Sequence, residues 1–206
     1  MIRTIFFDYD GVLTTDKSGS QTTYRYLSEA SGVAQSAIQA AFAPYMGELM
    51  TGQADHADVW PQASATLGKA LDINLLAAAF ESTPVNAPML ALARRLKGAY
   101  RLGIITDNSR DRMTHLRHAQ QLDALFDPIV VSAEVGCSKR VPEIFLGALS
   151  EAGASAHECV FIDNGSDNVA MARSVGMHAI HHDDEKNDMA ALLHALTELG
   201  VHAGTA

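Results

Sequence analysis

The chain has 206 residues, of which 48% are hydrophobic and 19% charged, so it is long enough for one sizeable core and is neither disordered nor fibrous in composition. Fifteen Lys and Arg residues stand against 24 Asp and Glu residues, which gives a formal net charge of −9. Because the basic residues are also scattered, the chain lacks the positive patch of a nucleic-acid-binding protein, and we expect no nucleic-acid partner.

The first apolar run, residues 2–7, is too short to span a membrane and has no signal-peptide cleavage pattern. We therefore expect a cytoplasmic protein with no membrane partner. Cys137 and Cys159 lack the spacing of a zinc site or a disulfide framework, and we expect both to pack as small apolar residues. The sequence does not predict an oligomeric state.

Short apolar runs recur along the chain and predict buried parallel strands over residues 2–7, 101–105, 128–131, 159–162 and 177–180. Segments rich in Ala and Leu separate or flank the later runs and predict helices over residues 87–97, 110–120, 142–151, 167–175 and 188–199. This alternation predicts an α/β fold with a doubly wound, Rossmann-like parallel sheet.

The interval after the first strand breaks this rhythm, because it contains helical patterns and no convincing strand. We predict that residues 16–84 form an inserted helical cap and that residues 1–15 and 85–206 form the catalytic core. Candidate cap helices cover residues 22–31, 36–45, 54–67 and 71–81. Its large apolar residues are expected to form the core of the cap rather than a substrate pocket: Tyr45, Met46, Met50 and Trp60.

Two acidic residues follow the first strand in the segment FFDYDGVLTTD. Asp8 comes directly after the apolar run, and Asp10 lies in the turn that follows. In open α/β sheets ligands bind outside the carboxyl ends of the strands, so both carboxylates are aimed at the expected crevice. A solvated Asp-Gly turn would explain Asp10 alone, but Asp8 would be costly to bury without a function.

Later segments add candidate phosphate-binding groups at the same edge of the sheet. Thr106 ends the second strand, and Asp107 and Asn108 follow it at a helix start, where a hydroxyl and free backbone N–H groups suit phosphoryl oxygens. Simple helix capping would also explain Asn108. Lys139 precedes a helix that begins near Pro142, an unfavourable position for a cation unless an anion lies between the lysine and the helix. We expect Lys139 to lie at the surface of the protein.

Asp163 ends the fourth strand and is a third acid at this edge. Grouped carboxylates repel each other unless a cation lies among them, and oxygen ligands favour Mg²⁺ over zinc. The sequence therefore predicts a magnesium site near Asp8 and Asp163.

These four segments resemble the haloacid dehalogenase (HAD) superfamily, whose pattern is DxDGxx after the first strand, Thr or Ser after the second, a later Lys, and an acidic motif after the fourth strand. The resemblance implies a phosphatase that hydrolyses a small phosphorylated metabolite, such as a sugar phosphate. It implies that Asp8 is the nucleophile and Asp10 the general acid and base. Thr106 and Lys139 would hold the phosphoryl group.

The resemblance also implies the ligands of Mg²⁺, which are the Asp8 carboxylate, the Asp10 main-chain carbonyl and Asp163. The sequence departs from the superfamily pattern in three places. Asp107 replaces a common Asn, Arg140 and Val141 replace Pro-Asp, and Asn164 replaces a frequent second Asp, a role that Asp167 could take.

Other functions stay open. A phosphomutase of the same superfamily would share the DxD motif, although no segment of the expected cap favours it. A 2-haloacid dehalogenase would use the same nucleophile without metal, but halide needs no proton on leaving, which makes Asp10 unexpected in such an enzyme. A catalytically silent binding protein could share the fold, because a fold does not guarantee activity. The retained Asp8, Asp10, Lys139 and Asp163 argue against it.

Overall fold

Five strands form one parallel sheet in the computed structural model, which describes residues 1–204. The strands are β1 (Thr4–Phe7), β2 (Arg101–Thr106), β3 (Ile129–Val131), β4 (Cys159–Asp163) and β5 (His178–His181). Their order is β3-β2-β1-β4-β5, with Phe7 of β1 paired with Ile104 on one side and Ile162 on the other. The predicted Rossmann-like parallel sheet is confirmed, and each strand matches its predicted run to within two residues at either end.

The sheet is buried on both faces because its strands are apolar at successive positions. Alternate side chains point to opposite faces, so Ile5 and Phe7 belong to one core cluster while Phe6 belongs to another. Helices α6 (Ala87–Leu96), α7 (Arg110–Gln120) and α11 (Met189–Glu198) contribute to the first cluster, and α9 (Pro142–Ala152) and α10 (Ser166–Ser174) to the second. A single helical turn, α8 (Ser132–Val135), follows β3.

Residues 19–81, called the helical segment below, form five helices: α1 (Gly19–Ser31), α2 (Gln35–Phe42), α3 (Met46–Thr51), α4 (His56–Leu67) and α5 (Leu75–Glu81). They enclose a third apolar cluster that includes Leu27, Phe42 and Trp60. The predicted helix over residues 36–45 is too long, because the chain turns at Pro44 and starts α3, which the sequence pattern did not predict. The division of the chain into core and cap stays a prediction.

Two short connections join the helical segment to the rest of the protein, and they run antiparallel beside each other. Thr14 and Val85 form an isolated β-bridge. The N–H of Thr15 donates to the carbonyl of Pro84 at 3.0 Å, and the N–H of Asn86 donates to that of Leu13 at 2.8 Å. The outgoing and returning chains are thus held together where they leave the sheet.

The helical segment also contacts the start of α7. His56 Nδ1 lies 2.9 Å from a carboxylate oxygen of Asp111, and the backbone N–H of His56 donates to the same oxygen at 3.0 Å. Arg110 donates to the carbonyl of Gly52 at 2.7 Å. Together these contacts tie α3 and α4 to the edge of the sheet where Asp8 lies. In the described part of the chain, no helix has the length and apolar character needed to cross a bilayer.

Candidate active site

Asp8 lies where the order of the sheet reverses direction, between the ends of β2 and β4. Its N–H donates to the carbonyl of Ile162 at 2.8 Å, which continues the pairing of β1 with β4 for one residue. The residue is 6% exposed, and its side chain accepts a hydrogen bond from the N–H of Tyr9 at 2.7 Å. The carboxylate is therefore fixed at the mouth of the crevice that this topology creates.

The turn after Asp8 depends on Gly11, which has a φ of +80° that residues with side chains rarely adopt. A Cβ at this position would also lie 2.3 Å from the side-chain nitrogen of Asn164. The N–H of Gly11 donates to the hydroxyl of Thr14 at 3.2 Å. Asn164 thus packs directly against the first motif, a contact that the sequence did not predict.

Lys139 joins the first and fourth strand ends. Its ammonium lies 2.8 Å from Asp8 Oδ2 and 2.7 Å from Asp163 Oδ2. The expectation that Lys139 lies at the surface is wrong, because the residue is only 2% exposed. Burial disfavours the ammonium, but Asp8 and Asp163 outweigh it and raise the pKa of Lys139 above its ordinary value, so the lysine is charged.

The surroundings of Asp8 disfavour the ionised form of its carboxylate. Burial raises the pKa of Asp8, Lys139 opposes this effect, and the neighbouring Asp163 adds to it. A further cation at this position would stabilise the ionised form that a nucleophile needs.

Asp163 is fully buried, and its two oxygens already have several partners. The N–H of Gly165 donates to Oδ1 at 2.6 Å, and the side-chain amide of Asn168 lies 3.1 and 3.2 Å from the two oxygens. Asn168 was not among the predicted site residues. Asp167, the possible second acid, is exposed on the first turn of α10 and does not line the cavity described below.

The carboxylate of Asp10 is bound by Arg112, which sequence reasoning missed. Arg112 donates from Nη1 to Oδ2 at 2.8 Å and from Nη2 to Oδ1 at 2.9 Å. The side-chain amide of Asn108 also donates to Oδ2, at 2.9 Å. The missed signal was the spacing of Arg112 with Met113 and Leu116, which places the arginine on the buried side of α7.

The three residues predicted to bind phosphate after β2 have different surroundings. Thr106 is buried at the strand end and lines the cavity. Asp107 accepts a hydrogen bond from the N–H of Lys139 at 2.9 Å, and burial raises its pKa. The expectation of a free backbone N–H at Asn108 is wrong, because this group donates to the hydroxyl of Ser132 at 3.0 Å.

A cavity of about 320 Å³ opens over these groups. The predicted site residues line it together: Asp8, Asp10, Thr106, Asp107, Asn108 and Lys139. Asp163 does not line it but is bound to Lys139, which does. The helical segment and the chain leading into it add Lys17, Ser18, Gly19, Ser20 and Met50, the loop after β4 adds Asn164 and Gly165, and α10 adds Asn168. Met50 therefore faces the cavity as well as the apolar cluster of the helical segment.

The oxygen donors at this edge fit a magnesium ion. Asp8 and Asp163 bring two carboxylates to one ammonium, and the chemistry of oxygen ligands suits a hard divalent cation. Within residues 1–204, no group of three or more His, Cys, Asp or Glu side chains is arranged to hold a metal. The predicted set needs only two such side chains, because its third protein ligand is the main-chain carbonyl of Asp10.

The arrangement combines a buried carboxylate beside a buried ammonium with a second carboxylate two residues later. A carboxylate in this position can act as a nucleophile toward an electrophilic centre in the cavity, and the ammonium can stabilise negative charge that develops there. The second carboxylate can exchange a proton with the leaving group or with water.

Comparisons with known proteins agree with this geometry. A family model described as a haloacid dehalogenase-like hydrolase matches residues 2–176. Bifunctional epoxide hydrolase 2 of Rattus norvegicus is 27% identical over 203 residues, which covers 87% of this chain but only 36% of the rat protein. Sesquiterpene phosphatase astK of Aspergillus oryzae is 30% identical over 138 residues, which covers 65% of this chain and 69% of the fungal protein.

Solved structures share the fold over nearly the whole chain. A predicted HAD-like family hydrolase from Porphyromonas gingivalis has a TM-score of 0.76 at 25% identity and covers 95% of this chain and 98% of its own. The HAD family enzyme bt-2542 from Bacteroides thetaiotaomicron, in complex with magnesium and inorganic phosphate, has a TM-score of 0.74 at 18% identity, over 93% and 99% of the two chains. The L-2-haloacid dehalogenase from Xanthobacter autotrophicus has a TM-score of 0.64 at 17% identity, over 98% and 85%.

The match to the family model begins at the first strand and ends shortly before the last, and it includes every strand-end residue of the candidate site. The chain therefore belongs to the haloacid dehalogenase-like hydrolases.

Proposed function

We propose that this hydrolase is a Mg²⁺-dependent phosphatase that acts on a small phosphate monoester through an aspartyl-phosphate intermediate. The observation that carries the proposal is the convergence of Asp8, Asp10 and Lys139 on one cavity, with Lys139 paired to Asp8 and Asp163. This set provides a nucleophile, a proton donor and a positive charge where a phosphoryl group would be transferred.

In the proposed first step, a carboxylate oxygen of Asp8 attacks phosphorus and the bond to the leaving oxygen breaks. Asp10 gives a proton to that oxygen. In the second step, Asp10 takes a proton from water, the water oxygen attacks phosphorus, and the bond between phosphorus and Asp8 breaks to release inorganic phosphate. Lys139 and Thr106 hold phosphoryl oxygens in both steps.

The proposed ligands of Mg²⁺ are the Asp8 carboxylate, the Asp10 main-chain carbonyl and Asp163. When bound, the ion supplies positive charge that offsets the charge on the transferring phosphoryl group. A cation bound there would also lower the pKa of Asp8, which burial raises, because a neighbouring positive charge favours the ionised carboxylate.

The activity of one relative and the bound ligands of one structural neighbour support this proposal. One is a sesquiterpene phosphatase, and one structural neighbour was solved with magnesium and inorganic phosphate. The dehalogenase alternative has a neighbour of the same fold but leaves Asp10 without a task, since halide leaves without a proton. The carboxylate of Asp10 accepts three hydrogen bonds from Arg112 and Asn108, and bonds that fix its orientation in this way favour a function for Asp10.

We propose that residues 16–84 act as the cap over this site and that the leaving group is small and polar. The part of the cavity wall that comes from this region includes Lys17, Ser18 and Ser20, with Met50 as its large apolar side chain. A cation and two hydroxyl groups suit the hydroxyl or acidic groups of a sugar phosphate better than a long hydrocarbon chain.

The test is hydrolysis of a generic aryl phosphate, followed by a panel of sugar phosphates, with Mg²⁺ and with EDTA. We expect turnover that requires Mg²⁺ and is lost in Asp8→Asn, with Asp72→Asn, at an exposed aspartate that does not line the cavity, as the matched control. Full turnover in EDTA would refute the metal requirement. Metal-independent release of halide from a 2-haloacid would establish the dehalogenase alternative.

A further inference from the structure

Arg112 is a buried cation that neither the sequence motifs nor the mechanism above uses. Arg112 is the third residue of α7 and precedes the core residue Met113. Its side chain is 3% exposed. Arginine is seldom buried to this degree unless it is paired with a group of opposite charge. The guanidinium must therefore be explained by what it contacts.

One side of the guanidinium binds Asp10 through two parallel hydrogen bonds of 2.8 and 2.9 Å. Paired bonds of this kind fix the orientation of a carboxylate as well as its charge. Asn108 adds a third bond to Asp10 and accepts a bond from Arg112 at 2.9 Å, which braces the pair. A carboxylate can accept about four bonds, so about one acceptor site of Asp10 remains for a group in the cavity.

The other side of the guanidinium contacts the returning connection and the start of the helical segment. Arg112 Nη2 donates to the hydroxyl of Thr83, on the returning chain, at 3.0 Å. At Gly19, the first residue of α1, a Cβ would lie 2.2 Å from the central carbon of the guanidinium, so only glycine permits this approach. The guanidinium also lies over the ring of Tyr9, 5.6 Å from its centre.

We propose that Arg112 is a positioning residue that holds the carboxylate of Asp10 at the cavity and makes this position depend on the start of the helical segment and on the chain that returns from it. The proposal rests on the proposed function, in which Asp10 exchanges the proton. Arg112 does not line the cavity, and its hydrogen bonds go to Asp10, Asn108 and Thr83 rather than to Lys139 or Thr106, which are proposed to hold the phosphoryl oxygens. Its loss should impair steps that need Asp10 and leave phosphate binding unchanged.

Arg112→Met tests this, because Met retains much of the side-chain length while removing both bonds to Asp10. Alkyl phosphates need a proton on the leaving oxygen, and we expect their kcat to fall on the order of 10²-fold. Aryl phosphates scarcely need that proton, so they should give a rapid release of the aryl alcohol followed by slow turnover. The inhibition constant of inorganic phosphate should stay within about threefold of wild type.

Arg110→Met is the matched control, because Arg110 lies on the same helix and contacts the helical segment at Gly52 but does not contact Asp10. It should leave unchanged the ratio of alkyl to aryl rates, where each rate is that of the first, phosphorylation step in a single turnover. An equal loss in that first-step rate for both substrates in Arg112→Met, or a weakened inhibition by phosphate, would overturn the proposal.

Two further measurements decide the matter if Arg112→Met folds poorly or if the wild type proves inactive on phosphate esters. Thr83→Val should lower the alkyl-to-aryl ratio in the same direction as Arg112→Met, and Thr83→Ser, which keeps the hydroxyl, should restore it. Crystal structures of Thr83→Val and Arg112→Met need no activity. An Asp10 carboxylate that stays in its wild-type orientation in both would overturn the proposal, whereas a rotated carboxylate beside an inactive wild type would refute only the proposed function.

Discussion

Lys139→Met offers a quantitative test of the charge balance at the site. The substitution removes the ammonium that lies 2.8 Å from Asp8 and 2.7 Å from Asp163, and it leaves two buried carboxylates facing each other. Removing one partner of a buried ion pair costs about 3–5 kcal/mol, a large part of the 5–15 kcal/mol by which a domain is typically stable. We expect that loss in the free energy of unfolding when Mg²⁺ is absent.

Urea unfolding with and without Mg²⁺ measures this loss. A cation bound between the two carboxylates replaces part of the missing charge, so Mg²⁺ should stabilise Lys139→Met more than it stabilises the wild type. Arg140→Met is the matched control, because it removes the same charge from the adjacent, exposed position and should change stability by less than about 0.5 kcal/mol.

Activity gives a second magnitude for the same variant. Loss of one preorganised charge-stabilising group should lower kcat on the order of 10²-fold. A free energy of unfolding of Lys139→Met within about 1 kcal/mol of that of Arg140→Met would refute the argument that this lysine neutralises the two acids.

Three smaller predictions concern residues around the site. Burial favours the neutral form of Asp111, but the hydrogen bond and charge of His56 outweigh it and lower the pKa of Asp111 from 3.8 to about 2, so the ionised carboxylate contributes about 2 kcal/mol above pH 4 that is lost as the pH falls toward 2. Asp111→Asn should flatten the acid limb of a plot of unfolding free energy against pH, and an unchanged limb would contradict this. Gly11→Ala should destabilise by at least about 1–2 kcal/mol in thermal unfolding, because the position has a φ of +80° and Asn164 fills the space. Asp167→Asn should keep wild-type kcat and Mg²⁺ dependence in steady-state assays, and a loss of either would make Asp167 the second acid.

The sequence predicted the sheet because its strands are buried on both faces. Runs such as residues 159–162 are apolar at every position, and that pattern identifies a central parallel strand without knowledge of its neighbours. The acids that end β1 and β4 then fall at one edge by topology alone. Thus Asp8 and Asp163 could be brought together from their positions in the sequence.

Contacts set by side-chain packing between distant segments could not be predicted in this way. Lys139 precedes a helix in the sequence, which is compatible with an exposed side chain, and only the convergence of two strand ends on it makes it buried. The partners of Arg112 lie 102 residues away at Asp10 and 29 residues away at Thr83, so no local pattern indicates them. The start of α3 was missed because Pro44 interrupts a helical pattern that otherwise continues.

Asp10→Asn separates the two proposed roles, in which Asp8 forms the covalent intermediate and Asp10 exchanges the proton. This variant keeps the nucleophile but loses the base for the water that hydrolyses the intermediate, so an aryl phosphate should phosphorylate the enzyme and leave it trapped. Mass spectrometry of the acid-quenched protein should then locate one phosphate on Asp8. A phosphate on any other residue, or continued turnover of the same substrate by Asp8→Asn, would contradict the account.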